Sequence, residues 1–355
     1  MRDQSGLGWR IARLIAAQGP ISVAQFMAIA LHDPRAGYYA TRDPLGADFI
    51  TAPEVTQAFG ELVGLWCAQA WHDQGKPSPA RLVELGPGRG TLMEDALRAA
   101  RRMPDFLDSI EVVLVETSPV LAAMQKERLR SCGLAVRWAQ SMADIEHDRP
   151  HFTIANEFLD ALPIRQFVMT EKGWSERMVG VDESGRLAFV LSPAAWNFAV
   201  PPERGHATTG AVYEFSAAAN ALVEDIAGGI ARTDGAALFI DYGYAGAGFG
   251  ETLQAVGDNR YQDILAEPGE VDLSAHVDFG AVAHAARAGG ARPYGPLAQG
   301  EFLEALGIRV REASLASDGG ASPAIDRLTK PDGMGTLFKA LAVLPPSAPS
   351  PPGFA

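Results

Sequence analysis

The segment that most restricts what this chain can fold into is Val83-Glu84-Leu85-Gly86-Pro87-Gly88-Arg89-Gly90-Thr91. It follows a short apolar run and opens a stretch in which Leu92, Met93, Ala96, Leu97 and Ala100 recur at helical spacing. Strand, glycine-rich turn and helix in that order make a ligand-binding corner. Glycine lets the backbone approach a ligand closely, and the free N–H groups of the helix start point at it.

Two of the ligand classes that use such corners fit poorly. A phosphate-cradling P-loop needs Gly-Lys followed by Ser or Thr, whereas Gly75-Lys76 precedes Pro77. The dinucleotide fingerprint needs a third glycine where this chain has Thr91. The pattern is E-x-G-x-G-x-G, with Glu84 inside the strand. A carboxylate there repels a pyrophosphate and suits the cationic methionine end of S-adenosylmethionine; a plain tight turn is the alternative. The next apolar run, Val112 to Val115, ends at Glu116, placed to accept hydrogen bonds from two ribose hydroxyls. In isolation Glu116 reads equally as an acid at a helix start.

Short apolar runs around Leu82 to Leu85, Val112 to Val115, Phe152 to Ala155 and Ala236 to Ile240 alternate with helix-length segments. That is the signature of a doubly wound α/β sheet with buried parallel strands. Ahead of it, residues 1–78 read as helical. Leu7, Ile11, Leu14 and Ile15 share a face, Ser22 with Gln25 makes a capping box, and a long helix carries Val55 to Ala70. Residues 164–192 read as an antiparallel meander, with Asp182-Glu183-Ser184-Gly185 as one turn. The expected division is a helical cover (1–78), a cofactor-binding core (79–243 and 336–344), an insertion (244–335) and a disordered tail (345–355). Within the insertion, Val277 to Ala288 and Glu301 to Leu306 read as helical.

A net charge of −13 repels phosphate backbones, so nucleic acid is not expected as a partner. Cys67 and Cys132 stand far apart in no CxxC arrangement, which fits a reducing compartment and gives no thiolate metal site. His276 and His284 lack the spacing of a helical metal pair, so no metal is expected. No apolar run approaches the ~18 residues of a membrane span, and Arg10 and Arg13 interrupt the one signal-like stretch. These features predict a cytoplasmic bacterial protein without membrane insertion.

Phe152 to Ala155 runs into Asn156-Glu157-Phe158-Leu159-Asp160-Ala161-Leu162-Pro163. Taken alone, this is a polar strand end or a helix cap with two solvated acids. Together with GPISVAQFM from Gly19, GYY, DFITAPEVTQAFGE, LVELGPGRGTL, DYG, HVDF and MGTLFKAL, in that order, it resembles the MidA-type methyltransferases. The resemblance runs from about residue 19 to 341. It implies a class I methyltransferase core, Rossmann-like, with an N-terminal helical cover and an inserted substrate region. It also implies S-adenosyl-L-methionine as cofactor and arginine methylation of a protein, with a peripheral-arm subunit of complex I as substrate type. By matching position, Glu84, Gly86, Gly88, Gly90, Glu116 and Asn156 become cofactor residues, and Glu157 and Asp160 catalytic ones. One departure is Leu45-Gly46-Ala47, shorter than the family's glycine-rich loop. Tyr38 and Tyr39 read either as substrate contacts or as packing. A small-molecule acceptor, or a cofactor-binding assembly chaperone without turnover, stays open.

Overall fold

The structure, a computed structural model, describes residues 6–41, 50–196, 200, 204–246, 248–258, 260–315 and 322–354. The Leu45-Gly46-Ala47 departure lies outside the described residues. The chain forms two compact units. One comprises Ile50–Leu159, Asn220–Ala245 and Val277–Ala355; the other comprises Met1–Phe49, Asp160–Ala219 and Gly246–His276.

The first unit is built on β1 (Ala80–Leu85), β2 (Ile110–Val115), β3 (Val136–Ala139), β4 (His151–Asn156), β5 (Gly235–Tyr244), β6 (Arg292–Ala298) and β7 (Phe338–Leu344). Among the described residues the sheet runs β6-β7-β5-β4-β1-β2-β3, with Val277–Asp278 paired to β5 as an eighth strand. β1 to β5 are mutually parallel, and β7 inserts antiparallel between β5 and β6. The strand order reverses between β1 and β4, and in such sheets ligands bind beyond the carboxyl ends of the strands at that point.

To the same unit belong α1 (Gln57–Asp73), α2 (Thr91–Ala100) and α3 (Pro119–Arg128). Alternate strand residues Leu82, Val112, Leu114, Phe152, Ile154, Leu238 and Ile240 join Phe59, Val63, Trp66 and Ala96 in one core. Each large apolar side chain fully buried there contributes about 1.5–3 kcal/mol. α1 and α2 cross closely because Gly64 has no side chain; a Cβ there would lie 2.4 Å from Ala96 Cα. The helix expected to run through Val55 is broken. Thr56 is extended and its Oγ1 accepts the Ala58 N–H at 3.2 Å, so Ala52–Val55 is a separate turn before α1.

The second unit carries helices Leu7–Gln18 and Val23–His32 and an antiparallel sheet of Ile21–Ser22, Gly173–Val181, Arg165–Thr170 and Val212–Phe215, with Leu187–Trp196 against Gly173–Val181. Ser22 and Gln25 form the expected capping box. In the Asp182 turn, Asp182 Oδ1 accepts the Arg186 N–H at 2.8 Å. A small sheet of Gln254–Gly257, Arg260–Gln262 and Asp272–Ser274 completes the unit.

Three further expectations need correction. The 1–78 cover does not exist as one body. Ile21 pairs with Val179 in the antiparallel unit, whereas α1 packs its apolar face in the core of the parallel sheet. The 244–335 insertion divides at His276/Val277, because Val277 and Asp278 pair with Gly243 and Tyr244; the helix expected from Val277 therefore starts at Phe279, where Asp278 caps it. The tail is ordered through residue 354: Trp66 Nε1 donates to Pro352 O at 3.1 Å, and the Phe354 ring lies 5.1 Å from that of Phe302. Its Pro and Ser content hid one buried aromatic anchor and one acceptor for a buried indole. Among the described residues no helix is long and apolar enough to cross a membrane.

Candidate cofactor and acceptor site

The glycine loop leaves β1 at the switch point. Gly86, Gly88 and Gly90 have φ of +61°, +52° and +80°, a left-handed run that residues with a Cβ rarely adopt. A Cβ on Gly86 would lie 2.6 Å from Phe158 Cδ2, so the loop after β4 sits directly on the glycine loop. Gly90 is the N-cap of α2, and Thr91 Oγ1 donates to Glu54 Oε1 at 2.6 Å, tying the Ala52–Val55 turn to the same corner.

Glu84 is buried in β1, and its Oε2 has no hydrogen-bond partner among the described residues. Burial first, and the charge of Glu116 second, push its carboxyl up to about 8. Glu116 follows β2, with its N–H on Ala139 O at 3.0 Å. Its Oε1 accepts the Ser118 N–H at 2.7 Å and its Oε2 accepts Gln125 Nε2 at 3.0 Å. Burial raises its pKa against those lowering hydrogen bonds.

Asn156 ends β4 beside Ile240, and its Oδ1 is also buried without a partner among the described residues. Buried acceptors left open beside a backbone that a Cβ would crowd are what a ligand rich in N–H and O–H donors requires. S-adenosylmethionine, with an ammonium and two ribose hydroxyls, fits that donor set.

Glu157 comes next, at φ +50°, a left-handed conformation that costs a side-chain-bearing residue roughly 1–3 kcal/mol. Its N–H donates to Ile240 O at 2.8 Å. Its Oε1 accepts the Ala52 N–H at 2.8 Å and Asn156 Nδ2 at 3.2 Å. The loop behind it is held by Asp241 at the end of β5, whose carboxylate accepts the N–H groups of Phe158, Leu159 and Tyr242. The chain therefore enforces the Glu157 conformation from both sides.

Asp160 opens the part of the chain that belongs to the other unit. It is 9% exposed, and its carbonyl accepts the Ala275 N–H at 3.0 Å. Tyr39 of the same unit donates to Asp272 Oδ1 at 2.7 Å; burial first, then Asp272 and Asp160, raises its pKa. Tyr38 is fully buried and packs.

One unit thus gathers Glu84, Gly86, Gly88, Gly90, Glu116, Asn156 and Glu157 around its strand ends, while Asp160 stands in the other. Two residues escape sequence reasoning. Gln125 follows Glu116 at no recognisable spacing. Asp241 stands in the DYG motif, yet nothing in that motif says that its carboxylate holds the loop after β4.

The family described as "Putative S-adenosyl-L-methionine-dependent methyltransferase" matches residues 62–297. Protein arginine methyltransferase NDUFAF7, mitochondrial, from Danio rerio is 37% identical, over 94% of this chain and 86% of that protein. The Homo sapiens protein of the same name is 36% identical, over 93% and 81%. A solved structure of a COG1565 superfamily member from Burkholderia thailandensis, bound to S-adenosyl-homocysteine, superposes with a TM-score of 0.82 at 30% identity. It covers 98% of this chain and 94% of its own. The cytoplasmic assignment does not stand, because these curated relatives are named mitochondrial. Sparse cysteines and the lack of a span-length apolar run do not discriminate between reducing compartments. With a match over more than half its length and relatives of the same kind matched over most of both chains, this chain belongs to the S-adenosyl-L-methionine-dependent methyltransferase family, an α/β enzyme with S-adenosylmethionine as its cofactor.

Proposed function

We propose that the chain methylates an arginine side chain of a protein, and that this protein is a subunit of complex I. The names of the curated relatives support the arginine acceptor, and the MidA-type resemblance supports the complex I partner. The observation that carries the catalytic assignment is Glu157 itself. It is an acidic residue in a left-handed conformation at the cofactor end of β4, overdetermined by Asp241, Ile240 and Ala52. Strain maintained in this way marks a functional position.

In this reading Glu84, Gly86, Gly88, Gly90, Glu116 and Asn156 hold the cofactor, which supplies a methyl group on a positive sulfur. A guanidinium is a poor nucleophile because its lone pairs are delocalised and its pKa lies above ~12. The carboxylate of Glu157 orients it, localises electron density on one nitrogen and stabilises the charge as a proton leaves. Asp160 assists. Orientation alone supplies up to ~7–11 kcal/mol of such a barrier.

The test is Glu157→Gln, which keeps size and removes charge. Calorimetry should show S-adenosylhomocysteine binding within about twofold of wild type. Mass spectrometry of a complex I subunit incubated with the variant should show arginine methylation reduced about a hundredfold or more, the scale of one lost charge-stabilising group. Unchanged methylation would remove Glu157 from the mechanism. A cofactor-binding wild type that methylates no arginine would overturn the acceptor.

A further inference from the structure

Gln125, on α3, is completely buried and touches three groups of the cofactor corner. Its Nε2 donates to Gly88 O at 2.7 Å and to Glu116 Oε2 at 3.0 Å, and its Oε1 accepts Trp138 Nε1 at 2.9 Å. The orientation of this amide is dictated by chemistry. The indole N–H can only donate and the Gly88 carbonyl can only accept, so the amide oxygen must face Trp138 and the NH₂ must face the loop. Glu116 Oε2 consequently meets an obligate donor, as Glu116 Oε1 meets the Ser118 N–H. Both oxygens of a buried carboxyl are held as acceptors.

We infer that Gln125 is a positioning residue for cofactor recognition: it fixes Glu116 as an ionised acceptor of the ribose hydroxyls and locks it to the Gly88 turn. This rests on the assignment of Glu116 to the ribose. A ribose hydroxyl donates to an ionised carboxylate far better than to a protonated one, and burial alone would favour the protonated form. The Gln125 hydrogen bond opposes that tendency. The charged groups on the surrounding elements include Glu84 on β1, Arg89 in the glycine loop, Glu111 on β2 paired with Arg137 on β3, Lys126 over the Trp138 ring, Glu127 paired with Arg130, and Arg128, which pairs with Glu94. Glu84 senses Glu116 and titrates on its own account, so affinity for one ligand alone does not isolate the effect.

The experiment measures, by calorimetry across pH, the affinity ratio between S-adenosylhomocysteine and its analogue lacking both ribose hydroxyls. The Glu84 contribution is common to both ligands and cancels. In wild type the ratio should fall on the acid side as Glu116 takes a proton. Gln125→Leu should lower the ratio about tenfold at neutral pH, the scale of a hydrogen bond to a charged group. It should also move the midpoint of the acid-side fall to higher pH. Trp138→Phe, which keeps an aromatic ring and removes the donor that fixes the amide, should move the midpoint the same way by less; it carries the test if Gln125→Leu does not fold. Equal weakening for both ligands with an unmoved midpoint would overturn the inference and leave Gln125 as loop packing. Glu116→Ala separates the two levels. If it leaves the ratio at the wild-type value, the ribose assignment of Glu116 fails. If it collapses the ratio while Gln125→Leu and Trp138→Phe do not change it, the Gln125 inference fails alone.

Discussion

Asp241 Oδ2 accepts the backbone N–H of Leu159 at 2.9 Å, so the last residues of β5 dictate the path of the chain after β4. Phe158 and Tyr242 donate to the same carboxylate. A carboxamide offers one acceptor oxygen in place of two and turns an N–H group towards donors. Asp241→Asn should therefore lower unfolding free energy by about 1.5–3 kcal/mol, read from denaturant midpoints. Because Glu157 rides on this loop, turnover should fall more than cofactor affinity does. An Asp241→Asn protein with unaltered midpoint and turnover would contradict that chain of support.

Gly86→Ala tests the corner from the other direction. Alanine in the left-handed conformation costs roughly 1–2 kcal/mol, and the added Cβ must push the Phe158 ring aside. S-adenosylhomocysteine affinity should drop at least about tenfold, the equivalent of ~1.4 kcal/mol. A second change, Phe158→Leu, should recover part of the stability and not all, since the backbone strain remains. Full recovery would place the whole effect on the ring contact.

Glu84 gives the apoprotein a pH signature. Its carboxyl has an ordinary value of 4.5 and is raised to about 8 in the fold, chiefly by burial and then by Glu116. Between those values the native state holds a proton that the unfolded chain has released. Stability therefore falls as pH rises through the window, by at most about 1.4 kcal/mol per pH unit. Glu84→Gln should remove this dependence, so its advantage over wild type grows from pH 5 to pH 8. Binding of a cationic methionine group favours the ionised form, so at neutral pH wild type should release a proton on binding. Calorimetry in buffers of different ionisation heat should detect that proton for wild type and not for Glu84→Gln.

The net charge of −13 predicts no electrostatic footprint for phosphate. The protein should pass through DNA- and RNA-affinity resin at physiological salt. Retention that weakens with added salt would count against a protein acceptor.

What the sequence reveals is what local chemistry specifies. The Ser22 box, the glycine corner, the buried strands and the Asp182 turn each follow from a few neighbouring residues, and each is present. Features that depend on distant pairing are hidden. The division at His276/Val277 exists because Val277 finds Gly243, and nothing around Val277 announces that partner. β6 contains Pro293 and Pro296, which argue against a strand; the structure admits them at the sheet edge, with a register shift between Tyr294 and Leu297. Of the site, the acids and glycines of the loop are legible as motifs. Gln125 is not, because its role depends on Trp138 from β3, and the Asp241 carboxylate binds backbone N–H groups, which leave no pattern.

The placement of β7 also shapes how the protein comes to be folded. Phe338–Leu344 lies between β5 and β6, yet it is synthesised after both, about a hundred residues beyond the start of β5. Until it leaves the ribosome, β5 presents an open apolar edge and β6 has no strand to join, so the sheet cannot close before residue 344 has emerged. Long-range pairings of this kind fold slowly and expose surfaces that aggregate. Nascent chains stalled before residue 338 should accordingly bind chaperones and resist native closure, whereas chains in which residue 344 has emerged should be able to close the sheet.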